Sequence, residues 1–325
     1  MARLRLSLRP NPFAADAPAG FAQTLHLPNA TIVVRAAGGV RIALWIDASS
    51  NTLLIEAHAG AVPRTVTASF EVWRNTTQAI APPAGDLGFC QIDQVIRPAD
   101  KLETVGASAV AVYHRNELDE GTFPYESPTN RSSLWDWTLY QQTGGEGYER
   151  ARAVSKDMLT NRTFGAVMSG LTCTGCSWKR ADDRSVQSSA ATSFASVQVS
   201  VLTAQTPSGS EWLSKAATQA TAFKRRGIEA ARRDHSAWWS KFWQEAWVSV
   251  PSETGVPADQ TMSAQHAIHR FVTACQGRPK DTPNAMIKFN GGIWVPDPIL
   301  GCRMGGSGHS QGVRCDADFR FWGGG

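Results

Sequence analysis

Apolar and polar residues take turns along most of the first two hundred positions. The alternation begins in RLRLSL and returns in TIVVRA (31–36), VRIALWID (40–47), TLLIEAHA (52–59) and TVTASFEVWR (65–74). ASAVAVYHR (107–115), FGAVMSGL (164–171) and ASVQVSVLTAQT (195–206) continue it. A period of two places successive side chains on opposite faces of a strand. Enrichment in Val, Ile, Thr and aromatics suits a pleated surface. Turn-forming clusters such as RPNP, PNAT and AAGG separate the runs. Short strands with no helical period between them predict an antiparallel sandwich over residues 1–207. Residues 120–150 break the rhythm with a long polar and aromatic stretch, read either as a functional loop or as a lineage-specific insert.

Near residue 210 the period changes. SGSEWLSKAATQATAFKRRGIEAARRDHSAWWSKFWQEAWVSV is rich in Ala, Lys, Arg and Glu. Ser208 and Ser210 are its candidate caps, with Glu211 in the first turn. Trp239, Phe242, Trp243 and Trp247 recur three and four apart, and Trp238 widens that face. Such a stripe is a sugar-stacking platform or an apolar clamp; helical spacing favours the clamp. Residues 250–260 read as a linker, and MSAQHAIHRFVTACQGR as an amphipathic helix ending at Gly277. His266 and His269 lie on that helix, but no carboxylate joins them at metal-ligand spacing. The organisation is therefore a β-sandwich (1–207), a helical linker (208–250) and the start of a further domain (251–325).

Composition narrows the function classes. A chain of 325 residues with 42% hydrophobic and 18% charged residues holds a sizeable core and is not disordered. The net charge of +4 is spread out. Its densest cluster, KRRGIEAARRDH (224–235), is interleaved with acids and reads as a solvated helix face, which argues against nucleic acid as a partner. No apolar run approaches the roughly 20 residues that span a bilayer, so no membrane partner is expected. MARLRLSLRPNPF lacks the apolar core and cleavage site of a leader. Four glycosylation triplets, at Asn29, Asn75, Asn130 and Asn161, are compatible with secretion. The natural start is expected to lie upstream, and the protein is expected outside the cytoplasm. Of six cysteines only Cys173 and Cys176 have a close spacing, without the second pair that zinc would want. The expectation there is a turn with two thiols or a local disulfide, and no cofactor.

The most site-like residues come late. In IKFNGGIWVPDP (287–298) two glycines let backbone approach a ligand. Asn290 offers both a donor and an acceptor to a sugar hydroxyl. Trp294 offers an apolar face to a pyranose ring, and Asp316, Asp318 and Arg320 add charge. The plainer reading is a tight glycine turn with Asn290 left-handed and the aspartates capping a helix.

Several stretches together resemble a known family. They are VSKDMLTNRTFGAVMSG, VYHRNE (112–117), SAWWSKFWQEAWVSV, AIHRFVTACQGR, IKFNGGIWV and DADFRFWG. They look like a glycoside-hydrolase-like family catalogued as domain of unknown function 5703, itself similar to glycoside hydrolase family 95. The resemblance implies an N-terminal β-supersandwich, a helical linker and an (α/α)6 barrel with an acidic pocket and inverting hydrolysis. It puts the family's FNGG element on Phe289–Gly292 and its aspartate-rich element on Asp316, Asp318, Phe319 and Arg320, with Phe321 where an arginine is usual. It also implies that Tyr113–Glu117 is a sandwich loop reaching toward the barrel pocket, with His114 and Glu117 as substrate-binding candidates.

The departures are an absent upstream stretch, an absent motif after the aspartate segment, most of the barrel, and an interposed PILGCRMGGSGHSQGVRC. Inverting hydrolysis needs two carboxyl groups roughly 6.5–9.5 Å apart. Asp316 and Asp318 share one segment, and Glu117 is a candidate partner that nothing in the sequence places within reach, so the general acid is not assigned. Two functions follow as expectations. One is a fragment of an inverting glycosidase, inactive by itself, that takes carbohydrate. The other is a non-catalytic carbohydrate-binding or scaffold module.

Overall fold

A computed structural model describes residues 2–14, 20–80, 95–117, 147–156, 160–251, 255–258 and 261–276. The strands are β1 (Ala2–Arg9), β2 (Ala22–His26), β3 (Thr31–Ala36), β4 (Val40–Ile46), β5 (Thr52–His58), β6 (Thr65–Val72), β7 (Gln78–Ile80), β8 (Val95–Arg97), β9 (Lys101–Val105) and β10 (Ala109–Arg115). Helix α1 (Tyr148–Val154) precedes β11 (Arg162–Cys173), β12 (Trp178–Arg180), β13 (Ser185–Ser188) and β14 (Phe194–Gln205). Helices α2 (Gly209–Arg226), α3 (Ile228–Glu245) and α4 (Met262–Gln276) follow.

Two antiparallel sheets result. The larger runs β2-β3-β4-β5-β14-β11-β10-β9, and the smaller runs β1-β6-β13-β12; β7 and β8 pair with each other. Every run picked out by alternation is a strand. The short strands β2, β9, β12 and β13 carry too few alternating residues to stand out by pattern. Helix α1 begins inside the stretch read as an insertion.

The core between the sheets follows from the period of two. Leu8, Val66, Ala68, Phe70 and Val186 come from the smaller sheet. Val40, Ile42, Ile55, Ala57, Val110, Val112, Met168, Val197 and Val199 face them from the larger one. The opposite face of the larger sheet is not left to water. Ala109, Ala111, Tyr113 and Val167 on that face pack against Trp212, Ala216 and Ala220 of α2. Gln198, polar in the alternation, is buried there and donates from Nε2 to Ser169 Oγ (3.0 Å) and to the Ala220 carbonyl (2.9 Å).

Helix α2 starts where Ser208 Oγ accepts the Glu211 amide at 3.1 Å, so Ser208 is its cap. It stops at Gly227, whose φ of 80° is left-handed, and α3 sets off in a new direction. The charge cluster at this break is only partly solvated. Arg226 donates to Asp47 Oδ2 (2.8 Å) and Asp234 Oδ2 (2.6 Å). Arg232 pairs with Glu56 and lies 4.4 Å over the Trp45 ring. His235, fully buried, accepts the Ala48 amide on Nδ1 and donates from Nε2 to the Asn29 carbonyl. These contacts correct the expectation of a solvated face, because Glu56 of β5 and Asp47 of the turn after β4 join Asp234 in neutralising the arginines.

The chain forms two compact units, 1–79 with 96–240, and 80–95 with 241–325. The first holds the sheets, α2 and most of α3. In the second, the Arg270 guanidinium lies over the rings of Phe242 (4.6 Å) and Trp243 (5.4 Å) and donates to the Phe242 carbonyl. The aromatic stripe is thus divided. Trp239 is fully buried, Phe242 and Trp243 enclose an arginine, and Trp247 lies past the end of α3 and is 73% exposed.

Candidate functional site

Strand β10 is buried along its whole length, and its last residues are Tyr113, His114 and Arg115. The resemblance implied a loop here; the structure places all three in the ladder, opposite Gly165, Phe164 and Thr163 of β11. Only Asn116 and Glu117 leave the strand. Because the side chains alternate, Tyr113 and Arg115 share the face turned to the helices and His114 takes the other.

Tyr113 faces the helices. Its ring lies 5.0 Å from that of Trp212, and burial, with Glu103 and Glu117 nearby, pushes its phenol upward. His114 faces the space between the sheets. Its Nδ1 donates to Asp100 Oδ1 at 2.9 Å, and the Phe164 ring lies 5.3 Å away. Arg74 Nε sits 2.9 Å from the same oxygen, as an ion-pair partner without hydrogen-bond alignment. The Asp100 amide in turn donates to the Arg74 carbonyl, so backbone and side chain hold the pair together. Burial first, then Arg74, lowers the His114 pKa, and Asp100 opposes them without reversing the direction. His114 is therefore a neutral imidazole bonded to a carboxylate already neutralised by arginine.

Arg115 is the hub. It is 5% exposed, yet each nitrogen of its guanidinium has a partner. Nη1 donates to the carbonyls of Asn161 (3.1 Å) and Thr206 (2.9 Å) and to Thr163 Oγ1 (2.9 Å). Nη2 donates to Asn161 Oδ1 (2.7 Å) and the Pro207 carbonyl (3.0 Å). Nε lies 3.1 Å from Glu117 Oε1. The planar fork thus ties the end of β10 to the start of β11 and to the turn leading into α2. Glu117, 46% exposed at the side chain, also faces Lys101 at 3.4 Å.

This cluster can hold elements in place. Its charged groups pair with one another, and Glu117 is a counter-ion of both Arg115 and Lys101. Arg115, Asp100 and Arg74 were missed by sequence reading. The usable signal was a charged residue closing a strand otherwise buried throughout.

The remaining candidates, Asn290, Trp294, Asp316, Asp318 and Arg320, lie outside the described residues. On α4, His266 is half-buried and His269 exposed, and among the described residues no three His, Cys, Asp or Glu side chains group to hold a metal. No described helix is long and apolar enough to cross a membrane. Cys173 and Cys176 form the local disulfide. Of the glycosylation triplets, Asn75–Thr77 is exposed throughout, while Thr31 and Thr163 are buried.

Residues 1–248 match the N-terminal domain of the family described as domain of unknown function 5703 (DUF5703). No curated protein matches the chain. Among solved structures, a human-microbiome protein assigned by name as a kojibiose phosphorylase is similar over 79% of this chain, at 9% identity and a TM-score of 0.42. The chain spans 27% of that protein's length.

Proposed function

We infer function from one premise: the chain belongs to the DUF5703 family. On that basis, and on the motifs it shares with glycoside-hydrolase-like proteins, the sandwich and its helices form the base of a carbohydrate-active protein. The parent protein hydrolyses a glycosidic bond with inversion, in an (α/α)6 barrel that follows the linker. Asn290 and Trp294 bind the sugar there, and Asp316, Asp318 and Arg320 supply the charge around it. The 325-residue chain by itself is inactive. The observation that supports this reading is the Arg115 hub. It locks the turn between β14 and α2, so the linker helices leave the sandwich from a rigid base.

The test uses the longest natural form of the protein with aryl and oligosaccharide glycosides. Turnover is expected, with a first-formed sugar of inverted anomeric configuration by proton NMR. Asn290→Ala should lower kcat/KM at least about tenfold, the scale of one hydrogen bond to substrate. Unchanged turnover in that variant removes Asn290 from the site.

A second reading has its own support. Within the Tyr113–Glu117 stretch, Tyr113, His114, Arg115 and Glu117 are all engaged inside the fold, as suits a scaffold or binding module. Calorimetric heat from glycans added to the 325-residue chain, without turnover in the longer form, favours it. We also place the protein outside the cytoplasm, a location supported by the Cys173–Cys176 disulfide.

A further inference from the structure

We propose that Cys173–Cys176 is a thiol–disulfide exchange site, reduced and reoxidised by dithiols while the domain stays folded. Three observations carry this. First, the disulfide joins residues only three apart in sequence. A loop so short constrains the unfolded chain little, and it staples no two distant elements together. Second, the turn has its own supports. The Thr174 amide donates to the Phe194 carbonyl (3.0 Å), and Thr192 Oγ1 donates to the Thr174 carbonyl (2.7 Å). Ser177 and Ser189 bond through backbone and side chains, and Trp178 Nε1 donates to the Thr172 carbonyl (2.9 Å). Gly175 takes the left-handed φ of 70° that the turn needs. None of these contacts uses sulfur. Third, both cysteines are half-exposed, and Thr174 and Gly175 between them are exposed. The ladder with β14 shifts register between Gly170 and Cys173, so the pair lies at its irregular end. Exposed disulfides on which the fold does not depend are the labile ones.

The exchange balances simply. A thiolate of the dithiol attacks one cysteine sulfur, the S–S bond breaks as a mixed disulfide forms, and the released cysteine thiolate takes a proton. The second thiol of the reagent, as its thiolate, then attacks the reagent sulfur of the mixed disulfide and expels the other cysteine, which is protonated in turn. The protein gains two electrons and two protons, and the dithiol becomes its own disulfide.

The experiment treats the native 325-residue chain with dithiothreitol without denaturant, then with N-ethylmaleimide, and maps the labels by peptide mass. Before reduction the peptide holding Cys173 and Cys176 should carry none; after it, two. Oxidised dithiothreitol should restore the unlabelled state, and the melting temperature should move by less than about 4 °C, near 1 kcal/mol for a domain this size. Cys176→Ser should fold and expose Cys173 to the label with no reductant. Labelling that needs denaturant, labelling before any reduction, or loss of strand circular dichroism on reduction overturns the proposal.

Discussion

Arg115 illustrates how one side chain can be worth more than a hydrophobic residue of its size. Its desolvated fork donates to the carbonyls of Asn161, Thr206 and Pro207. Arg115→Met should cost about 3 kcal/mol in urea unfolding, because buried acceptors are left bare. Arg115→Lys should recover only part, since an ammonium cannot reproduce the planar fork. His114 gives the residue scale its pH dependence. Its folded value lies below the unfolded one, so the unfolded chain binds more protons in the interval between them. Stability from this group is therefore complete above about 6.5, the unfolded histidine value, and declines as pH falls below it. His58 shifts in the same direction through burial and Arg41. His114→Gln should accordingly flatten, without abolishing, the fall in melting temperature between neutral and mildly acid pH. An unchanged slope would remove His114 as its source.

At the scale of elements, β11 and β12 show how packing specifies glycine. A Cβ on Gly170 would come within 1.9 Å of Trp178 Cγ, so the indole occupies the space a side chain would take. Gly170→Ala must push that ring off the strand. The expected loss is about 2 kcal/mol, as for an overpacked core, together with changed Trp178 fluorescence. The cap of α2 is a gentler case. Ser208→Ala should cost about 1 kcal/mol in the same unfolding experiment, because one amide of the first turn loses its acceptor.

For the molecule as a whole, the contacts at Asp47 join layers that sequence places far apart. Asp47 sits in the turn after β4 and receives Arg226 from the end of α2, together with Ser49 and Ser50 hydroxyls. Arg226→Met should loosen the helices before the sheets. Hydrogen exchange is expected to rise at the amides of α2 and of α3 up to Ser240 while β1 and β6 stay protected. Uniform acceleration would mean that helices and sandwich unfold as one unit. The eight long strands, the change of period near residue 210 and a serine cap at 208 or 210 were all legible from sequence, because burial on one face and a cap near its helix leave local patterns. Sequence also placed Cys173 and Cys176 in a turn. It could not show that Gln198 and Ser169, polar in alternation, lie under a helix, nor that Arg226 and Arg232 find carboxylates in the β4–β5 hairpin some 180 residues earlier. The family resemblance offered His114 and Glu117 as substrate-binding candidates; only the folded chain shows that His114 bonds Asp100 and that Glu117 pairs with Arg115. Periodicity records which face of an element is apolar. Which polar group meets which is a matter of distance across layers, and only the packed sandwich brings those partners within reach.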